Sequence, residues 1–467
     1  MRSLIIAVLV LTAVAVAASV LPGAKEKTAL STRSPMFLFA LDGLEWSVMA
    51  PLVERGKLPV IADLMKHGVY GYLATLQPTY SPVIWTSVAT GKSPGDHGIR
   101  HFVFDDPGGK DKRYYSSGHR KTKAFWNILS DYDLTVHCVG WWVTYPAEPI
   151  NGVMVTQTNS TRFLKNPELG MWKGTLIKGL PDQVYPPERQ NRVMDLLAEV
   201  DAGLDGIVEG IFGRRAHPAD EFSQMIWDQT EWTFRADATY ARVARDILES
   251  GEPFDLMALY IGGIDVSEHR FWQYAFPEQF AHPPDPKQIE NFGRVIEDYY
   301  VYADRLIGQM LALAPKNASV VIVSDHGMRA VNTAHVFRKE DRGVYRNSAH
   351  HLDNPPGVII ASGGPFRSSF LEGAAADPLD PAAIPRLASV LDVLPTILAV
   401  KGIPIGEDMD GKPVASIIDP GKLAPSGVRY VPTHDTPEWL AEQQTRIKRA
   451  DDEKERLEQL RSLGYIK

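Results

Sequence analysis

The sequence carries a single cysteine, Cys138, in 467 residues. That excludes a disulfide framework and any thiolate-rich zinc or iron–sulfur site. Positive charge is also scarce. Lys plus Arg number 49 against 57 Asp plus Glu, giving a net charge of −8. Such a balance argues against a nucleic-acid binder, which usually carries a basic footprint. There is no internal repeat, and Gly and Pro follow no period. Solenoid and fibrous classes are therefore excluded. What the chain does have is material for a large core: 44% hydrophobic residues, including 17 Tyr, 17 Phe and 10 Trp.

One long apolar run stands at the N-terminus. Met1-Arg2-Ser3 is short and basic, and the 18 residues from Leu4 to Leu21 carry no charge. Small residues around Ala15 to Ser19 offer cleavage sites, and Pro22-Gly23 then breaks the chain. This pattern predicts a signal peptide over residues 1–22. A run of that length also just suffices for an uncleaved membrane anchor. Both readings place the body outside the cytoplasm, in a periplasmic or extracellular space.

The body reads as an α/β fold with a mainly parallel sheet and helices on both faces. Met36 to Leu41, Leu134 to Val139, Leu256 to Ile261, Ser319 to Val323 and Gly357 to Ala361 are continuous apolar runs. Runs of this kind suit strands covered on both faces. Helical patterns over Trp46 to Val53, Val60 to Met65, Val83 to Ala89, Ala124 to Leu129, Ala236 to Leu248, Ile289 to Leu313 and Val390 to Val400 alternate with them. Between 158 and 234 the apolar runs shorten, which predicts an inserted cap in a domain spanning 34–420. The segment 433–467 reads as a charged helical tail.

The informative residues follow the buried strands, where open α/β sheets build their sites. Asp42 ends the first strand; alone, it could simply cap the next helix. Asp265 and His269 follow another strand, four residues apart, so one helical turn puts them on one face. Asp325 and His326 end a third strand just before Gly327, which permits a turn. His350 and His351 precede the Gly357 strand. Together these acids and imidazoles form a plausible inventory for two divalent cations. With no thiolate on offer, Zn²⁺ or Mn²⁺ suits such ligands. Ser81 sits on a Pro-bounded turn before a helix, either as a cap or as a nucleophile whose attacked anion meets the helix start. Thr86 is the competing hydroxyl.

In this order the residues resemble the alkaline phosphatase superfamily, and within it the type I phosphodiesterase/nucleotide pyrophosphatase family. Asp42-Gly43, Ser81-Pro82 through Thr90-Gly91 with Pro94 and His97-Gly98, Asp265-x-x-x-His269, Asp325-His326-Gly327 and His351 carry the resemblance, together with Asp392 to Thr396 and Asp410-Gly411. The family nucleophile lies ten residues before the glycine of a Thr-Gly turn, which here is Ser81. The family commonly has Thr there, so Ser is a conservative departure. Neither the cysteine nor the arginine of the sulfatase branch is present. The resemblance implies an alkaline phosphatase-like fold and two bound divalent metals, most simply Zn²⁺. One metal would be held by Asp42, Asp325, His326 and the Ser81 oxygen. The other would be held by Asp265, His269 and His351, with His350 as the alternative.

The implied activity is hydrolysis of a small-molecule phosphate ester through a phosphoseryl intermediate. A phosphomonoesterase or phospho-group transferase on the same fold is the alternative within enzymes. A catalytically silent binding protein is the alternative outside them. The substrate itself is not legible, although Trp141, Trp142 and Trp172 are candidates to stack a ring, and Arg100 or His101 to meet a phosphate. Export has a direct check. Sequencing of the mature N-terminus should begin near residue 20, or the intact chain should fractionate with membranes. Cytoplasmic protein with an intact, unanchored N-terminus would contradict both forms of the reading.

Overall fold

The computed structural model describes residues 34–105, 112–157, 180–216, 220–228, 230–331, 348–368, 384–423 and 427–447, with 176, 178 and 218 besides. The apolar run at 4–21, the first part of the expected cap (158–175) and the tail beyond 447 lie outside these residues. No helix among the described residues is long and apolar enough to cross a membrane.

Nine strands make the main sheet: β1 (Met36–Leu41), β2 (Gly68–Ala74), β3 (Val136–Val139), β4 (Gly152–Val155), β5 (Val184–Tyr185), β6 (Leu256–Ile261), β7 (Ser319–Val323), β8 (Gly357–Ser362) and β9 (Arg386–Ser389). Their spatial order is β9-β2-β8-β7-β1-β6-β3-β4-β5. The centre is parallel, with β7, β1, β6, β3 and β4 running together. β8 runs antiparallel to both of its neighbours, and β5 antiparallel to β4. The α/β class with a mainly parallel sheet therefore holds.

Alternation along β1 divides the core in two. Phe37, Phe39 and Leu41 point into one cluster, and Met36, Leu38 and Ala40 into the other. The first cluster is closed by α1 (Trp46–Glu54), α2 (Pro59–Lys66) and further helices described below. The second is closed by α3 (Ser81–Thr90), which contributes Ile84, Trp85 and Val88, and by α4 (Phe125–Asp131). Nearly every residue of β1, β6 and β7 is buried for this reason, as their unbroken apolar sequences require.

Part of the segment read as a cap is built into this body. β5 forms the sheet edge, and α5 (Gln190–Phe212) buries Val193, Leu196, Leu197, Val208 and Phe212 in the first core cluster. It packs beside α6 (Glu231–Glu249) and upstream of α7 (Gly263–Ala275). The pattern over Ile289 to Leu313 is two helices rather than one, Pro286–Phe292 and α8 (Val295–Ala312). The break falls at Gly293, where a Cβ would stand 2.7 Å from the Ile289 carbonyl oxygen and 3.0 Å from that of Tyr274. The start of the charged tail is helical over 437–447 and docks on the turn at Gly118, whose Cβ would meet the Gln443 carbonyl at 2.7 Å.

The sheet gathers the polar residues at one edge. β1, β2, β6 and β7 all end there, because β8 opposes both β2 and β7. Since β8 runs the other way, the residues before it, including His350 and His351, reach the same edge. Helix α3 rises from that edge and stops at Gly91, whose φ of +66° a residue with a side chain adopts poorly. Behind it, the buried His97 accepts a hydrogen bond from Ile99 N–H at Nδ1 (3.1 Å). Its proton therefore sits on Nε2, 3.0 Å from the Ser87 oxygen, to which it donates. This pair is a brace, because Nε2 holds a proton and cannot take one from Ser87.

Burial pushes the His97 pKa down from 6.5 to about 3. Below pH 6.5 the unfolded chain takes up a proton that the folded chain refuses. The stability is full above that pH and is lost as pH falls toward about 3. Its slope approaches about 1.4 kcal/mol per pH unit. Denaturant titrations between about pH 6 and pH 4 should show wild type losing stability faster than His97→Gln, which has no such proton to take up. Parallel curves would refute the assignment.

Candidate metal centre and active site

Three carboxylates meet where β1, β6 and β7 end. Asp42, Asp265 and Asp325 are all buried. The backbone ties them together: Asp265 N–H donates to the Asp42 carbonyl at 3.0 Å, and Gly43 N–H donates to Asp325 Oδ1 at 3.2 Å. Gly43 has φ +80°, and a Cβ there would lie 2.8 Å from Asp265 Cα. The close approach of two strand ends thus demands glycine. Asp42 Oδ2 accepts from Trp85 Nε1 at 3.3 Å and from the Tyr260 hydroxyl. Both donors are fixed by burial, so the carboxylate's orientation is set before any ligand arrives.

The imidazoles are oriented in the same way. His269 Nδ1 lies 2.7 Å from the Ala349 carbonyl, and His326 Nδ1 lies 3.0 Å from that of Gly327. A carbonyl accepts only, so Nδ1 carries the proton in each ring. Nε2 then faces the acids. His269 Nε2 is 3.3 Å from Asp265 Oδ1; His326 Nε2 is 3.2 Å from Asp325 Oδ2 and 3.5 Å from Asp42 Oδ1. His351 Nε2 lies 3.9 Å from Asp265 Oδ1, and its ring stacks on His326 at 3.7 Å. Two sets result, Asp265/His269/His351 and Asp42/Asp265/His326, each with ligand atoms within 4.8 Å of one another. A lone pair of Nε2 directed at carboxylate oxygens is an arrangement that a cation between them satisfies. Hard oxygens and imidazoles of this number fit a divalent ion.

Asp325 lies outside both sets, with Oδ1 taken up by Gly43 and Oδ2 beside His326. His350 turns elsewhere: its Nδ1 accepts from Leu352 N–H at 3.2 Å, and its Nε2 is 4.0 Å from Asp353. Of the two neighbouring histidines, His351 is the one that reaches Asp265.

Ser81 is buried and opens α3, with Tyr80 as the residue before the first turn and Pro82 within it. Trp85, one turn on, reaches Asp42, so the Ser81 face of the helix is turned toward the acids. The approach to Ser81 is anchored to the histidine loop. The Thr79 hydroxyl donates to the His351 carbonyl at 2.6 Å, and Gln77 Nε2 to that of Leu352 at 3.4 Å. Thr86 donates its proton back to the Pro82 carbonyl at 2.6 Å, which commits that hydroxyl within the helix. Trp141 and Trp142 are both core residues, 0% and 2% exposed. Rings that are only half-buried stand beside Ser81 instead: Tyr80 packs on His101 at 4.5 Å and on Phe102 at 5.7 Å. Trp172 lies outside the described residues.

The sequence reading missed the supports. Glu45 lies 3 residues after Asp42. Its Oε1 accepts from Ser47 N–H at 3.1 Å, which starts α1, and its Oε2 accepts from Met328 N–H at 3.1 Å, which holds the Asp325-His326 turn. Burial pushes the Glu45 pKa up, against the pull of these hydrogen bonds. Asp237 of α6 accepts from Gly262 N–H at 3.0 Å and Gly263 N–H at 2.7 Å, capping the helix that carries Asp265 and His269. The sequence signal was the Gly262-Gly263 pair, since a Cβ on Gly263 would lie 2.2 Å from the Tyr299 hydroxyl.

The tightest of these contacts yields a prediction. A Cβ on Gly327 would stand 1.9 Å from Glu45 Oε2 and 2.9 Å from the Pro356 carbonyl. Gly327→Ala should therefore displace the turn that presents His326. Overpacking of this kind costs roughly 1–3 kcal/mol. Affinity for added Zn²⁺ should fall by about 10- to 100-fold, as for other supports of metal ligands. Thermal unfolding and chelator competition read the two effects. Unchanged Zn²⁺ affinity would show that the turn is not part of the site.

The sequence from residue 36 to residue 363 matches the family model described as Type I phosphodiesterase / nucleotide pyrophosphatase. No curated protein matches the chain. Among solved structures, phosphonoacetate hydrolase from Sinorhizobium meliloti 1021 in complex with phosphonoformate is 17% identical, with a TM-score of 0.37 over 64% of this chain and 57% of that one. The chain thus spans somewhat over half the length of that relative. Human ectonucleotide pyrophosphatase/phosphodiesterase 5 is 14% identical, with a TM-score of 0.42 over 79% of this chain and 95% of its own. The inactive murine protein of that name in complex with AMP is 11% identical, with a TM-score of 0.44 over 84% and 100%. These likenesses are distant, and membership rests on the match across 36–363. By that match the chain belongs to the type I phosphodiesterase/nucleotide pyrophosphatase family.

Proposed function

We propose that this chain is an exported, metal-dependent phosphodiesterase or nucleotide pyrophosphatase that works through a phosphoseryl intermediate on Ser81. The observation that carries this reading is the shared edge: two Asp/His sets and the first residue of α3 are brought to the same end of the sheet. The ligands assigned to one ion are Asp42, Asp325, His326 and Ser81 Oγ. Those assigned to the other are Asp265, His269 and His351. Asp265 lies within reach of both sets. Two divalent ions, Zn²⁺ by ligand type, would lower the pKa of the Ser81 hydroxyl and offset charge on the leaving oxygen. Three carboxylates against two such ions leave about one net positive charge, a field suited to a phosphate ester anion.

The chain's own part is positioning. Asp42 is held by Trp85 and Tyr260, so Ser81 and Asp42 share one rigid support through α3. Ser81 Oγ gives its proton to solvent and attacks phosphorus, and the P–O bond to the alcohol or nucleotide leaving group breaks, the leaving oxygen taking a proton from solvent. Water then cleaves the phosphoserine and restores the hydroxyl. The start of α3 favours the anion that forms beside it. The half-buried rings of Tyr80, His101 and Phe102 offer faces for the organic part of a small-molecule substrate.

Three variants test the assignment. Ser81→Ala should lower turnover of a chromogenic phosphodiester by several orders of magnitude while leaving most of the bound metal in place. Ser81→Thr should keep part of the activity. Thr86→Ala should cost far less, because it loses only a hydrogen bond inside the helix. Acid quenching of wild type should trap a phosphoprotein. A dead Thr86→Ala beside a near-normal Ser81→Ala would move the nucleophile to Thr86. Full activity after metal stripping would sink the two-metal reading.

A further inference from the structure

Behind the two Asp/His sets lies a buried hydrogen-bonded link that the proposed chemistry does not use. Tyr300 of α8 is 1% exposed. Its hydroxyl accepts from Glu45 N–H at 2.9 Å and donates to Glu268 Oε1 at 2.7 Å. Those two partners stand beside different ligand-bearing segments. Glu45 follows Asp42 on the β1 loop, and its carboxylate holds the Asp325-His326 turn through Met328 N–H. Glu268 precedes His269 on α7 and is completely buried. A single phenol oxygen thus joins the support of one set to the helix that carries the other.

We infer that Tyr300 is a positioning residue that fixes the separation between the two cation sets, through Glu45 on one side and Glu268 on the other. The inference rests on the two-metal reading above. Its physical basis is economy of alternatives. The half-buried Glu45 N–H needs an acceptor, and the buried Glu268 carboxyl a donor. The Tyr300 hydroxyl does both with its one proton and one lone pair. Each of these bonds fails if α7 slides along or away from the β1 loop by more than the tolerance of a hydrogen bond, a few tenths of an ångström. Asp265 is carried on α7 and belongs to both sets, so such a slide would change its distance from Asp42 and His326 while leaving it beside His269 on the same helix. The neighbouring Tyr299 already pins the start of α7, donating to Asp237 Oδ2 at 2.6 Å. Tyr300 adds a point of attachment near the helix middle, beside the bonds that Asp265 N–H and His269 Nδ1 already make.

The test uses the full mature chain and Zn²⁺ titrated against a chromophoric chelator. Tyr300→Phe keeps the ring and deletes the hydroxyl. The first equivalent of Zn²⁺ should bind within about threefold of wild type, since one set can relax around one ion. The second should weaken by about tenfold or more, the range found for groups that orient metal ligands. Tyr302→Phe, a hydroxyl deletion two residues on that touches neither Glu45 nor Glu268, controls for a general loss of packing and should leave both affinities unchanged. Equal weakening of both ions in Tyr300→Phe, or in Tyr302→Phe as well, would reduce Tyr300 to a packing residue and overturn the inference. So would wild-type affinities for both ions. If wild type itself binds fewer than two equivalents, the two-metal reading fails first, and this inference with it.

Discussion

Asp42, Asp265 and Asp325 are buried within one small volume, and most of the architecture around them answers that fact. Placing carboxylates together in a medium of low dielectric is strongly unfavourable unless donors or cations compensate. The chain supplies what donors it can. Trp85 and Tyr260 hydrogen-bond to Asp42, Gly43 N–H to Asp325, and the imidazoles of His269, His326 and His351 line up against the remaining oxygens. The Nδ1 protons of His269 and His326 are spent on carbonyls, which turns Nε2 of each ring to the acids. Carboxylate oxygens and imidazole nitrogens gathered in this way form a donor set that suits divalent cations.

One strand direction makes the assembly possible. Four of the segments proposed to bear ligands or the nucleophile follow strands that end at the same edge. The fifth, with His351, precedes a strand. Had β8 run parallel, His351 would have been left about one strand length away, at the opposite edge. Its antiparallel pairing with β2 and β7 corrects for that. The Thr79 hydroxyl then stitches the His351 loop to the turn before Ser81. Sheet topology brings the groups together to within several ångströms, and a handful of side-chain-to-backbone bonds set the last one.

The apolar runs of β1, β6 and β7 were legible in the sequence because both of their faces are buried, so no polar alternation obscures them. The acids that follow them were legible for the same reason: a charge directly after such a run stands out. β2 was not. Its Gly68-Val69-Tyr70-Gly71 start looks like a turn, yet both glycines are needed because a Cβ would lie 2.3 Å from the Ala361 carbonyl and 2.5 Å from that of Pro385. The helix at Gln190–Phe212 was hidden by three glycines, Gly203, Gly206 and Gly210, which weaken its helical signature. The supports of the site were illegible on different grounds. Glu45, Asp237 and Tyr300 are spread over the chain, and each looks like an ordinary surface residue in its own segment. Only their partners give them meaning, and partnership across 25 to 283 residues leaves little trace in the segment itself.

The choice between Ser81 and Thr86 shows how the two levels combine. Spacing to Gly91 selected Ser81, but spacing alone could be off by a turn. The structure adds two physical differences. Thr86 lies inside the helix, where its hydroxyl donates to the carbonyl four residues back. Its proton is engaged, and its face is turned from the first turn, where an anion would gain from the helix dipole. Ser81 stands at that first turn, one turn from Trp85, whose indole N–H grips Asp42. A nucleophile has to share a rigid frame with the group that activates it, since small displacements cost large factors in rate. Both hydroxyls ride on α3 with Trp85 and its bond to Asp42, so what favours Ser81 in the proposed role is its place at the first turn.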